Sequence, residues 1–294
     1  PNSYDWEKLS EEDRVRFDGM MATYAADVAR MDRAVGDLVS QLKAEAVFDN
    51  SLILFMSDNG ATAESGPDGR SEGVPLGGPA SNVFVGMNWA TLSNAPFRYF
   101  KHHTYEGGIS TPLIAHWPQG ISATRRGGFV REPGHLIDIM ATVTDVARAA
   151  YPVSFAGKQI IGMEGVSLAP AFQGAPIRRR RPIFFEHEGN RAVRDGRWKL
   201  VAPFEHAWQL YDMQEDRTEL RDLAAKYPDR VSKMASQWDR WAASSKVDPW
   251  REAFDTRQRN ARQNWGGGEI PARPEAMDAM TDELARAVAQ RRAP

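Results

Sequence analysis

Five consecutive apolar residues, Leu52 to Met56, stand between a long amphipathic stretch and the polar turn Ser57, Asp58, Asn59, Gly60. A short unbroken apolar run bounded by turn formers reads as a strand covered on both faces. The stretch before it, about Glu11 to Lys43, carries Tyr24, Val28, Met31, Val35, Leu38 and Leu42 at spacings of three and four, the stripe of a helix with one buried side. A helix leading into a buried strand predicts a parallel α/β sheet, and open sheets of that kind bind ligands beyond the carboxyl ends of their strands. Asp58 and Asn59 lie at that end and offer two hard oxygen donors to a cation such as Ca2+ or Mg2+. An Asp-Asn pair also terminates many strands without binding anything, so the residues alone leave both readings open.

Downstream the alternation continues. Residues 63–93 are rich in Gly, Pro, Ser and Asn and read as a long irregular loop over a site, with Trp89 as a candidate pocket wall. Pro112 to Trp117 read as a second buried strand stopped by Pro118, and Leu136 to Ala150 as a helix whose start is capped near His135 and Asp138. After a Gly- and Pro-rich stretch at 157–176 the pattern changes to short strands at Ile183–Glu186, Ala192–Val193, Trp198–Val201 and Trp208–Tyr211. Asp195 and Gly196 supply a hairpin turn, and a helix follows near Asp229 to Trp241. The expected organisation is an α/β core over residues 1–175, a small antiparallel α+β subdomain over 176–248, and a tail over 249–294. That tail carries a Gly266, Gly267, Gly268 break and a helical pattern at Met277, Met280, Leu284 and Val288. Arg178 to Arg181 read as a solvated linker.

Charge and composition narrow the function. Lys and Arg number 37 against 39 Asp and Glu, a net charge of −2, so no global field draws the chain onto nucleic acid or an anionic membrane. An anionic substrate must be met locally. The absence of cysteine excludes disulfides, thiolate metal sites and a cysteine nucleophile carried by these residues. No run of about 20 apolar residues occurs, so no bilayer-spanning segment is expected.

The second chemical cluster is NAPFRYFKHHTYEGGISTPLIAHWP, from Asn94 to Pro118. Together with Leu54 to Gly60 it resembles the second half of the sulfatase family, in the alkaline phosphatase superfamily. HLIDIMATVTDVA from His135, GMEGVSLAPAF from Gly162, FFEHEGNRAVRDGRWKLV from Phe184 and LYDMQEDRTELRDLA from Leu210 resemble further family segments in order, those of bacterial arylsulfatases above all. The resemblance covers about residues 10 to 245. It implies part of a large mixed-sheet, alkaline-phosphatase-like core, with Asp58 and Asn59 on the active-site Ca2+ or Mg2+ and Lys101 on the sulfate of a small-molecule ester or sulfated glycan. An ammonium against the sulfate oxygens offsets charge as the bond to the leaving group breaks. His102 and His103 flank Lys101 as candidate general acids, although adjacent side chains usually diverge. Glu106 and Arg98 are expected to form a structural pair or cap, and Gly107 and Gly108 a tight turn before the strand.

Catalysis in the family rests on formylglycine, made from the Cys or Ser of a CxPSR or SxPSR motif, and neither motif occurs here. Two donors also fall short of the ~6 to 8 oxygens of a calcium site. With no initiator Met before Pro1, the expectation is a carboxyl-terminal portion whose partner is the upstream half of the same fold. The alternatives are a phosphodiesterase or phosphonate hydrolase of the same superfamily, or a noncatalytic remnant acting as a binding module. The family favours a periplasmic or secreted location, with a cytoplasmic one also open.

Overall fold

The computed structural model describes residues 4–73 and 75–256. The helical pattern expected at Met277 to Val288 and the glycine break lie outside them. In chain order the elements are α1 (Glu11–Ala44), β1 (Ile53–Met56), β2 (Arg70–Glu72), β3 (Asn82–Phe84), α2 (Gly86–Ser93), α3 (Glu106–Ile109), β4 (Leu113–His116) and α4 (Ile137–Val146). They continue with β5 (Ser154–Phe155), β6 (Lys158–Gln159), α5 (Ala169–Phe172), β7 (Ile183–His187), β8 (Asn190–Asp195), β9 (Trp198–Ala202), β10 (Gln209–Asp212) and α6 (Pro228–Ser244).

Ser10 starts α1: its Oγ accepts the Asp13 backbone N–H at 3.1 Å and donates to Asp13 Oδ2 at 2.8 Å, while Glu11, Glu12 and Asp13 sit favourably at the positive end of the helix. The helix forms as expected, but burial reaches only Phe17 and Met20; Tyr24, Val28, Met31 and Leu38 of the predicted stripe are exposed.

Two compact units divide the chain. Of the described residues, one takes those up to Asp32, Asn59–Ser110 and those from Phe184 onward; the other takes Arg33–Asp58 and Thr111–Ile183. In the second unit β1 pairs with β4, Ile53 opposite His116 and Met56 opposite Leu113, and the pairing is antiparallel. This corrects the expected parallel pairing: an unbroken apolar run shows that a strand is covered but not which way its neighbour runs. The coverage is also partial, since Phe55 is 42% and its cross-strand partner Ile114 is 60% exposed. The start of α4 is capped as predicted, with Asp138 Oδ2 accepting the His135 N–H at 2.8 Å. Asp138 is fully buried and also pairs with Arg179, whose side chain is largely covered, so Arg179 is not the solvated linker residue that the basic run suggests.

The first unit is built on a four-stranded sheet of order β10-β9-β8-β7. Gly196, at φ 56°, makes the β8–β9 hairpin with Asp195 opposite Trp198. Alternation divides the side chains between two faces. On one, Val193, Leu200 and Leu210 bury against Met234, Trp238 and Ala242 of α6; on the other, Ala192, Val201 and Tyr211 bury against Tyr99 and Tyr105. Each buried Val, Leu or Met side chain among these stabilises the fold by ~1.5 to 3 kcal/mol. The stretch 63–93, expected as one irregular loop, contains the β2–β3 hairpin and α2, and Trp89 is structural: its indole N–H donates to Phe17 O at 3.2 Å.

A buried ionic cluster ties residues 94–110 to this sheet within one compact unit. Lys199 Nζ lies 2.8 Å from Glu106 Oε1 and 2.8 Å from Glu219 Oε1, and all three side chains are buried. Glu219 Oε2 accepts the Glu106 N–H at 2.8 Å. Burial works against the Glu106 charge, but Lys199 outweighs it and holds that carboxyl below its ordinary range, while burial pushes Glu219 up. The expected Glu106–Arg98 pair does not form. Arg98 instead donates to Glu219 O at 2.5 Å. No helix of the described residues is long and apolar enough to cross a membrane.

Candidate active site

The turn after β1 is set by close backbone approach. Gly60 N–H donates to Gly108 O at 2.9 Å, and a Cβ on Gly60 would stand 1.8 Å from Gly107 O. A Cβ on Gly107 would meet Arg98 O and Tyr99 O at 2.2 Å, and one on Gly108 would meet His103 O at 1.9 Å. Both glycines are therefore required by packing, and they lie in α3, the single helical turn before β4. Asn94 ties the turn to the cluster that follows: its Oδ1 accepts Ala61 N–H at 3.0 Å and its Nδ2 donates to Tyr99 O at 3.1 Å. Lys101 N–H then donates to Ala61 O at 3.0 Å. Lys101 is thus pinned, backbone to backbone, two residues beyond Asn59.

Asp58 is exposed at the end of β1 and makes no hydrogen bond or ion pair among the described residues. Asn59 Nδ2 donates to Gly60 O at 2.8 Å, which orients the amide. A carboxylate and an amide oxygen are the donor types a hard cation takes, and they fit as part of a coordination shell, not as a whole one.

Lys101 Nζ lies 2.9 Å from Glu64 Oε1, and His102 Nε2 lies 2.7 Å from the same oxygen. The hydrogen bond from Lys101 lowers the Glu64 pKa against the opposing effect of burial, with His102 adding to it. His102 Nδ1 is 2.9 Å from His187 Nε2 and 3.1 Å from Glu188 Oε2. The hydrogen bond to Glu188 raises the His102 pKa, again opposed by burial and aided by Glu64, whereas burial lowers that of His187. The adjacent imidazoles diverge. His103 is buried against Tyr99 and Phe100, with ring centroids at 4.4 and 5.2 Å, as part of the core.

Sequence reasoning missed Glu64 and Glu188, and placed His187 in the small subdomain without a role. Glu64 lies in the stretch read as irregular. Glu188 and Gly189, at φ 53° and 79°, are the two residues joining β7 to β8, a hairpin signal that His-Glu-Gly-Asn between two apolar runs carries.

The model of the family described as "Sulfatase" matches residues 2–149, and that of "N-sulphoglucosamine sulphohydrolase, C-terminal" matches residues 96–240. An uncharacterized sulfatase of Schizosaccharomyces pombe is 30% identical over 79% of this chain and 45% of its own length. The arylsulfatase of Klebsiella aerogenes is 34% identical over 60% of this chain and 40% of its own. The chain thus spans less than half the length of these relatives. The crystal structure of Ps i-CgsB superposes with a TM-score of 0.58 at 24% identity, over 80% of this chain and 44% of that one, a likeness of fold.

Proposed function

Because the chain belongs to the sulfatase family, we propose that the full-length protein hydrolyses a sulfate monoester and that Lys101 holds the sulfate group. The observation that carries this reading is the Lys101 N–H to Ala61 O bond at 3.0 Å, which fastens the Lys101 backbone to the turn that carries Asn59. A sulfate monoester bears one negative charge. As its bond to the leaving oxygen breaks, the Lys101 ammonium stabilises the developing charge from a fixed position, at no cost in reorganisation. Asn94 and the three glycines hold that position. Glu64, bonded to both Lys101 and His102, keeps the ammonium from swinging free, and His102 in turn keeps Glu64 beside it.

Asp58 and Asn59 would hold a divalent cation, Ca2+ or Mg2+, which when bound polarises the ester oxygens. Formylglycine is the family's nucleophile, and no residue assigned here takes that part. The organic side of the ester, a small molecule or a sulfated glycan, is set by groups beyond this cluster.

The test is turnover of a chromogenic aryl sulfate by the full-length protein. Lys101→Ala is expected to lower it by ~10² to 10³, the effect of losing one charge-stabilising donor. Since an exposed ion pair adds only ~0 to 1 kcal/mol, thermal stability should barely move. Turnover within a few-fold of wild type would refute the assignment.

A further inference from the structure

We infer that His102, His187 and Glu188 form a second metal site, built for a zinc-type divalent ion and separate from the Asp58 and Asn59 pair. The donor atoms already converge: His102 Nδ1 is 2.9 Å from His187 Nε2 and 3.1 Å from Glu188 Oε2, and the three residues can bring one ligand atom each within 4.8 Å of the others. Bonds of ~2.0 to 2.2 Å in a tetrahedron set neighbouring donors about 3.3 Å apart, so the two edges that meet at His102 Nδ1 need to open by only a few tenths of an ångström. Two imidazole nitrogens at hydrogen-bond distance share one proton, and an ion takes its place.

The surroundings have the form of a metal site. The other His102 nitrogen, Nε2, lies 2.7 Å from Glu64 Oε1, the carboxylate on the outer imidazole N–H that fixes the tautomer of a metal-ligating histidine and raises its basicity. The ligands also stand on fastened backbone. Asn190 Nδ2 donates to His102 O at 2.8 Å, which ties the loop to the start of β8, and Glu186 Oε1 accepts the Gly189 N–H at 2.8 Å across the hairpin. His102 holds a left-handed backbone at φ 80°, fastened by the Asn190 bond, while the φ of 53° at Glu188 is that of the β7–β8 hairpin.

Two imidazoles and one carboxylate, with the fourth position open to water, is a zinc donor set; calcium prefers an all-oxygen shell. The site stands or falls independently of sulfate hydrolysis, because its readout is binding.

Cobalt is the probe. The metal-free full-length protein is titrated with Co2+ and followed by visible absorption, then back-titrated with Zn2+. The expected result is the intense spectrum of four-coordinate cobalt at one equivalent, displaced by Zn2+ and not by excess Ca2+. His187→Ala and, as a near-isosteric second variant, Glu188→Gln should abolish it, and Asp58→Asn should leave it intact. Glu64→Gln should weaken Zn2+ binding by about 10- to 100-fold, the effect of losing an outer-shell partner. A featureless or six-coordinate spectrum in the wild type, or its survival in Glu188→Gln, would overturn the proposal and leave a hydrogen-bonded cluster only.

Discussion

Glu64 Oε1 lies 2.9 Å from Lys101 Nζ, so the ammonium proposed to meet sulfate is already opposed by a carboxylate. Neutralising that carboxylate removes a repulsion on any incoming anion. Glu64→Gln, which keeps the shape, is expected to lower the inhibition constant of inorganic sulfate by about 2- to 5-fold, the scale of a partly exposed charge interaction. Inhibition assays on the full-length protein check this, with Lys101→Gln in a double-mutant cycle to show that the gain runs through the ammonium. A weaker sulfate affinity in Glu64→Gln would mean that Glu64 serves only to position Lys101.

In the buried cluster the two acids are not equivalent. Glu106 has a lowered pKa, so its ion pair contributes stability that is present above the unfolded value and is lost as pH falls through the folded one. Glu219 has a raised pKa, so its ionisation costs stability as pH rises through that value. At pH 7, Glu106→Gln is therefore expected to destabilise more than Glu219→Gln. Lys199→Met should be worst, at roughly 3 to 5 kcal/mol, because it leaves both carboxylates buried without their cation. Urea denaturation of the three variants ranks them, and Lys199→Met at wild-type stability would sink the argument.

What the sequence showed and what it hid follow from the range of the signals. The strand ending in Ser57 to Gly60 was legible because apolar patterning is local, and Lys101 because it sits in a contiguous motif. Glu64 was not, since its bond to Lys101 spans 37 residues and starts in a stretch whose composition reads as loop. Lys199 was hidden for another reason: a charged residue alternating with apolar ones in a strand reads as the solvent face, and only the packing of Tyr105 and Glu106 over that face buries it. Strand direction carries no signal in an unbroken apolar run, which is why the antiparallel β1–β4 pairing was not legible.

Phe55 and Ile114 face each other across that pairing and are both exposed. A two-stranded apolar face in water promotes self-association. Replacing both by Thr keeps β propensity and removes the apolar surface. The double variant of the 294-residue chain is expected to begin scattering light at a several-fold higher concentration than the parent, with little change in melting temperature. An unchanged threshold would place the association surface elsewhere.

The packing requirement at Gly107 links stability to the site. A methyl group there would meet two carbonyl oxygens, Arg98 O and Tyr99 O, at 2.2 Å, and neither is the flexible end of a side chain. The Gly107 N–H is also bonded to Arg98 O at 2.9 Å, so the backbone cannot part without losing that bond. The strain must therefore move the segment from Arg98 to Lys101. Overpacking of this kind costs ~1 to 3 kcal/mol, and displacing a charge-stabilising group by 1 Å costs about 10² in rate. Gly107→Ala is accordingly expected to lower both stability and aryl-sulfate turnover. Gly36→Ala, within α1 where nothing lies within 4 Å of the added methyl, should leave turnover unchanged and stabilise the helix by roughly 0.5 to 1 kcal/mol. Denaturation and kinetics on the two variants in parallel separate the effects. If Gly107→Ala lost stability yet kept full turnover, Lys101 would not depend on this backbone contact for its position.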